Sequence, residues 1–452
     1  MDFSFKGDIK YHPNGEKKHK KRRLINMIKQ NILSFKLSRT KDEITARAGL
    51  ALYSEFLRAF GIKGLVEKFM PPSGSNRGYP AYCYIEPILL MLTGGGKTIE
   101  DLREIHNDTA LRKLTGMEKM PSPSTVGDWL RRQGNSEGLQ ALKKVIDITT
   151  KKALSKDKRK EYTLYSDPTI IESEKYDAKR TYRGTKGYRP IIATLDEIPL
   201  IISHSFRQGN ETGQVIEVIK KAYELLPEGK KISLACLDSE FYNTEVIEYL
   251  REKDTKFCIV VDKTSSVRDL IKRIKHWEPF KDRDGIQTEK QIGETVHTMN
   301  RLGFSFRLVV LRWKPKQRDL FSGEYCYHCI ATDLEYSAEE VVHRYNERAN
   351  IELEIRELKN GFGMDWIPTG DYGANSFWFS LGVLAYNSFV IQKIFIFPQF
   401  QDKTVKTLRW IFYEVAGKVV EHARKLYLKI NVEINKFILY SEFRRRCVRL
   451  SA

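Results

Sequence analysis

The sequence predicts an α/β protein: a core of strands and helices, interrupted by a β-rich insertion and preceded by an all-helical domain. Three runs of residues predict it. Residues 162–261 alternate apolar strands with amphipathic helices. Residues 263–335 are strand-rich and basic, and residues 45–134 carry a helical period broken only by short turns. At 452 residues the chain has room for two or three domains, each with its own apolar interior.

Residues 1–44 form a basic arm. Residues 1–50 hold 13 Lys or Arg against 5 acidic residues, concentrated in 17–23. Such an arm finds phosphates by charge, and a solvated tail reads the same way. Residues 45–150 are expected to be a helical DNA-binding domain with turns at Pro71 and Pro72, at Gly94 to Gly96 and at 121–123. Its element at 124–132 opens on Ser124 and closes on Arg131 and Arg132, as the second helix of a helix-turn-helix or a plain surface helix does.

A basic linker at 151–160 leads into the first part of the core, 151–262. Strands are expected at 162–171, 188–195 and 198–206, then a helix at 211–226, a strand at 232–237, a helix at 244–252 and a strand at 257–261. That order is the one of a ribonuclease H-like core. The insertion, 263–335, is expected to be an inserted β subdomain that interrupts the core. Helical periodicity resumes at Ser337 in the second part of the core, 336–400. Residues 401–452 alternate basic and apolar through Lys406, Arg409, Lys418, Arg424 and Lys429, which predicts a helical hairpin lying on DNA or on the core.

Lys and Arg number 77 against 58 acidic residues, a net +19 that favours a polyanionic partner, nucleic acid ahead of a membrane surface. The apolar stretch 377–398 is broken by Asn387, Gln392 and Lys393, so it reads as a buried helix and not a bilayer span. The start, MDFSFKGDIKYHPNG, has no apolar run behind a basic end, so a cytoplasmic, nucleoid-associated location without membrane contact is expected. Six cysteines then face a reducing compartment. Cys326 and Cys329 flank His328, but no second pair stands at zinc-finger spacing, and the segment reads as a strand. Gly96, Lys97 and Thr98 end like a nucleotide-binding loop, yet the glycine it requires five residues earlier is Met91, so no NTP is expected.

The chemistry rests on carboxylates. Asp167 ends the run TLYSD and Asp238 ends ISLACLD, so both stand at the C-terminal edges of strands expected to lie side by side. Either one alone is also an ordinary turn former. Mg²⁺ takes oxygen ligands, and paired carboxylates with DNA phosphates suit two such ions, Mn²⁺ substituting. The run YNERANIELEIRELK supplies the third carboxylate. On one helix, Arg348, Glu352 and Lys359 fall within roughly 60° of Tyr345, while Glu347, Glu354 and Glu357 point elsewhere. A surface helix laced with pairs such as Arg348 and Glu352 has the same periodicity.

The spacing Y-x₂-R-x₃-E-x₆-K resembles the signature of bacterial insertion-sequence transposases of the Asp-Asp-Glu type. GGGKTIEDLREIHND, PSPSTVGDWLRR, DPTIIES, GTKGYRPIIATL, DSEFYNTEVIEYL and RELKNGFGMDWIPTGDYGANSFWFSLGVLAYN look like the insertion-sequence family called thirteen-eighty, as does KTVKTLRWIFYEVAGKVV. The resemblance implies that Asp167, Asp238 and Glu352 bind metal and carry catalysis, while Tyr345, Arg348 and Lys359 grip the DNA end. It implies double-stranded DNA as substrate, both transposon end and target, and a homodimer on DNA. In such relatives the insertion supplies a tryptophan that stacks on a flipped base; Trp277 and Trp313 are the candidates, with core packing as the other reading. Arg183, Lys186 and Arg189 could track a DNA backbone or sit in a solvated turn; Arg207 and Asn210 lie at a strand-to-helix corner, where Asn210 capping the following helix is favoured over DNA contact. Two rivals share these residues: a nuclease that never rejoins DNA, and a DNA-binding protein that has lost catalysis.

Overall fold

Short apolar runs become strands, among them KISLACL and FRLVVLRW, the second rich in the β-branched and aromatic residues that fit a pleated, half-buried surface. The computed structural model describes residues 35, 38–74, 78–299, 302–315 and 324–451, so the basic cluster at 17–23 lies outside the described residues. In chain order the strands are β1 (Ile44–Thr45), β2 (Glu161–Pro168), β3 (Ile171–Glu172), β4 (Lys179–Arg180), β5 (Lys186–Tyr188), β6 (Ile191–Leu195), β7 (Ile198–Ser205) and β8 (Lys231–Leu237). Then come β9 (Lys256–Val260), β10 (Glu278–Lys281), β11 (Gln287–His297), β12 (Phe306–Trp313), β13 (Cys326–Thr332), β14 (Gly417–His422) and β15 (Lys425–Ile430). The fold is a mixed α/β one built on a large mixed sheet of nine strands, ordered β10-β11-β12-β13-β9-β8-β2-β6-β7. Among the described residues only β2 with β8 and β8 with β9 pair in parallel.

The β-rich insertion joins the core sheet. Its strands form an antiparallel meander, and β13 pairs with β9 through Ile330 and Val260, so the meander extends the core sheet from its open edge. Cys326 and Cys329 both lie on β13, three residues apart and therefore on opposite faces.

Helices precede the sheet at Ala48–Ala59, Ile62–Phe69, Tyr82–Thr93, Leu102–Asn107, Thr109–Thr115, Pro123–Gly134 and Gly138–Lys156. The last runs through most of the expected linker. Ser122, and not Ser124, caps Pro123–Gly134. Apolar residues of these helices and of the sheet merge in one core around the helix Tyr372–Phe395, which is buried from Gly373 to Gln392. Trp129 stacks on Tyr84 at 4.5 Å and meets Phe377 edge-on at 5.2 Å. A Cβ on Gly134 would lie 2.2 Å from the Gly373 carbonyl, so only glycine permits this crossing. Asn387 explains one polar break in the apolar stretch: its Oδ1 accepts from the Ile201 N–H at 2.9 Å and its Nδ2 donates to the Ile201 carbonyl at 2.8 Å, pairing the free side of edge strand β7. Among the described residues no helix is long and apolar enough to cross a membrane.

Several expected elements differ. The strand at 188–195 is cut at Pro190, which cannot donate to a ladder; its first residue, Tyr188, belongs instead to the small sheet β3-β5-β4. The helix at 211–226 starts only at Val215, because Gly213 (φ 92°) and Gln214 (φ 54°) are left-handed; Asn210 therefore caps nothing, the helix following Gln214 without a side-chain cap. The C-terminal helical hairpin is instead a β-hairpin, β14 with β15, followed by the helix Ile434–Ser451. Residues 417–430 alternate with period two, and Ala423 and Arg424, both at positive φ, make the two-residue turn that right-twisted strands favour. β14 also pairs with β1, tying both ends of the described chain together.

Candidate active site

Two carboxylates are brought together by strand pairing alone. Ser166 on β2 stands in register with Leu237 on β8, so Asp167 and Asp238 follow at the same edge of neighbouring parallel strands, whose spacing is about 4.8 Å. Asp238 opens the short turn Ser239–Phe241, and its side chain makes no capping bond there. Glu352 approaches from the helix Asn350–Arg356.

That helix is not the single straight one expected over 345–359. Ala338–Asn346 is α-helical, Glu347–Ala349 winds tightly, Asn350–Arg356 is α-helical again, and Glu357–Gly361 widens into a π turn. Such irregular winding recurs at functional sites. Asp167, Asp238, Glu352 and Lys359 nevertheless line one cleft of about 550 Å³, together with Ile355 and Arg356 from the same helix. Glu354 points away into the core, where burial pushes its carboxyl up to about 8.

The other two residues of the signature stand behind the carboxylates. Arg348 Nη1 lies 3.0 Å from Asp167 Oδ1, both side chains largely buried, and that nitrogen has no aligned hydrogen bond, so the contact is electrostatic. Burial pushes the Asp167 carboxyl up to about 6; Arg348 opposes this, and the charges of Asp238 and Glu352 reinforce it. Tyr345 is buried with the Arg348 guanidinium 5.3 Å from its ring centre and His328 at 5.5 Å, a supporting position without open access to DNA. Lys359 donates to the Ile170 carbonyl at 2.7 Å, joining the π turn to the chain just beyond Asp167.

Among the described residues, no three His, Cys, Asp or Glu side chains converge closely enough to grip one ion. The donors fit Mg²⁺ or Mn²⁺ in kind, being carboxylate oxygens only, and their mutual repulsion at Asp167 marks a place where positive charge is favourable.

Sequence reasoning missed the group that holds the Asp238 turn. Glu240 accepts from Arg207 at 2.7 Å and pairs with Arg189 at 2.7 Å, and Arg207, whose side chain is 2% exposed, also donates to the Gly213 carbonyl. Arg207 thus neither contacts solvent nor sits in a helix cap. Arg183 and Arg189 line the cleft, as Tyr182 does; only their basic clustering was visible beforehand. Trp277 donates its indole N–H to Ile274 and stacks under Arg312 at 3.9 Å, while Trp313 carries Lys290 at 5.3 Å.

The family described as transposase DDE domain group 1 matches residues 31–451. No curated protein matches. Among solved structures, the cryo-EM structure of the piggyBac transposase synaptic complex with hairpin DNA is similar at TM-score 0.46 and 10% identity, over 83% of this chain and 82% of that one. With the family match spanning nearly the whole chain, the protein belongs to the DDE transposases of domain group 1 and is a DNA-cleaving transposase.

Proposed function

We propose that the chain cuts the ends of an insertion sequence and joins the freed 3′-hydroxyl to target DNA by metal-dependent phosphoryl transfer, with Asp167, Asp238 and Glu352 as the metal-binding and catalytic carboxylates. The observation that carries this is the shared cleft: two strand-end aspartates in register and a helix-borne glutamate, in a wall that also bears Arg183, Arg189, Arg356 and Lys359. The strand and helix order about them supports a ribonuclease H-like core, and the family's use of divalent ions supports Mg²⁺, with Mn²⁺ as substitute. Bound there, the ions would activate the attacking hydroxyl and stabilise the leaving oxygen.

The chain's own residues bind and orient. Arg356 and Lys359, on the same helix stretch as Glu352, meet the phosphates flanking the scissile bond. Arg348 neutralises and aims Asp167, and Tyr345 supports Arg348 from below. The helices ahead of the core are assigned to recognition of the transposon end, and cutting two ends together implies a homodimer on double-stranded DNA. The motifs that resemble the thirteen-eighty group of bacterial insertion sequences support an element of that kind, with the enzyme acting at the nucleoid.

The test is strand cleavage of a duplex carrying the element's terminal repeat, with Mg²⁺, comparing wild type with Asp238→Asn and Glu352→Gln. Wild type is expected to release and join a 3′-hydroxyl while both variants bind without cutting. Cutting without joining would point to a nuclease; binding without cutting in Mg²⁺ or Mn²⁺ would point to a DNA-binding relic.

A further inference from the structure

Arg409 opens a second π turn, Arg409–Tyr413, and its guanidinium reaches away from that turn to main-chain carbonyls of two distant segments. Nε donates to Thr93 at 2.6 Å and Nη2 to Leu92 at 2.8 Å. Both carbonyls end the helix Tyr82–Thr93, where helical partners run out and a cation is favourable. Nη2 also donates to the carbonyl of Gly361, the last residue of the π turn that carries Lys359. One cation thus joins a helix ahead of the sheet to the helix stretch that bears Glu352.

The junction is closely built around that cation. A Cβ on Gly363, at φ 69°, would lie 3.0 Å from Lys97 Cα, and Lys97 Nζ stands 3.8 Å from Asp365 Oδ2, so the loop after Thr93 also meets the chain just beyond the π turn. Glu357, the first residue of that turn, accepts from the Val405 N–H. On the opposite flank Lys359 is tied to the Ile170 carbonyl, close after Asp167. π winding is rare in helices, and here it is held from both sides. Arg409 itself stands outside the set of residues lining the cleft, so any effect it has on the cut passes through the main chain.

We propose that Arg409 is a positioning residue for strand cleavage: by clamping the end of the helix Tyr82–Thr93 to the π turn, it fixes where Glu352 and Lys359 stand against the strand-end aspartates. This rests on the DNA-cleaving reading of the cleft.

The test uses the full chain and a duplex carrying the terminal repeat, and measures affinity separately from the cleavage rate with all duplex bound. Arg409→Ala is expected to bind as wild type does and to cleave roughly a hundredfold more slowly, the scale of a misplaced catalytic group. Millimolar methylguanidinium should restore part of that rate, and NaCl at the same ionic strength should not, because only a planar fork of donors matches the vacated carbonyls. Arg409→Lys keeps a cation at the helix end but has no such fork, and it serves should the alanine variant fail to fold. It should likewise cleave more slowly at unchanged affinity. Cleavage at the wild-type rate, a slower rate explained wholly by weaker binding, or a folded alanine variant that methylguanidinium rescues no better than NaCl overturns the positioning role while leaving the transposase reading intact. Failure of wild type to cleave overturns both.

Discussion

Arg207→Met tests whether a buried charge network holds the turn that aims Asp238. Arg207 donates to Glu240 at 2.7 Å and to the carbonyls of Gly213 at 2.8 Å and Arg189 at 3.2 Å, with almost no solvent access. Removing one member of a buried pair costs about 3–5 kcal/mol, because the partner charge stays behind. Here Glu240 keeps Arg189 at 2.7 Å, which pulls the cost toward the lower end, and the orphaned Gly213 carbonyl adds about 1 kcal/mol or more. The expected loss is therefore about 4 kcal/mol, a large share of the roughly 5–15 kcal/mol that folds a protein. Glu240→Gln should cost a similar amount. The double variant should cost less than the two together, because only Arg189, whose side chain reaches the cleft, is then left unpaired. Urea unfolding followed by circular dichroism at pH 7.5 measures all three. A single-variant loss under about 1 kcal/mol, or strict additivity, would refute the network as described. Cleavage by Arg207→Met is expected to be slower under conditions where the variant is folded, since Asp238 begins the turn that Glu240 secures.

His204 is partly buried beside Ser380, and desolvation pushes its imidazole down to about 3, so its neutral form is the folded one. Its contribution is present above the unfolded pKa of about 6.5 and is lost as pH falls toward 3; at pH 5 the loss is about 2 kcal/mol. Urea midpoints of wild type and His204→Gln at pH 7.5 and pH 5 check this, and an identical pH slope in both would sink it. Asn387→Leu strips the Ile201 N–H and carbonyl of their side-chain partner on edge strand β7, and should lower stability by about 2–5 kcal/mol. An unchanged thermal midpoint would show that this pairing contributes nothing.

Local chemistry was legible in the sequence. Apolar runs ending in Asp167 and Asp238 announced two strand ends, and the spacing of Glu352 and Lys359 announced one helical face, because side-chain direction in strands and helices follows from residue number alone. Asn387, Gln392 and Lys393 likewise marked 377–398 as a buried helix and not a span. Tertiary structure decided what those elements met. That β13 would pair with β9 and turn the insertion into more of the same sheet depends on a free edge that no local pattern reveals. The β-hairpin at 417–430 is missed when the basic residues across the whole of 401–452 are taken as one helical pattern, whereas 417–430 alternates with period two, Ala423 and Arg424 turn at positive φ, and β1 supplies a partner strand. Arg207 and Glu240 lie 33 residues apart, and Arg348 meets Asp167 across 181 positions; such ion pairs form only when the chain has folded, since Coulomb attraction depends on distance in space and not along the sequence.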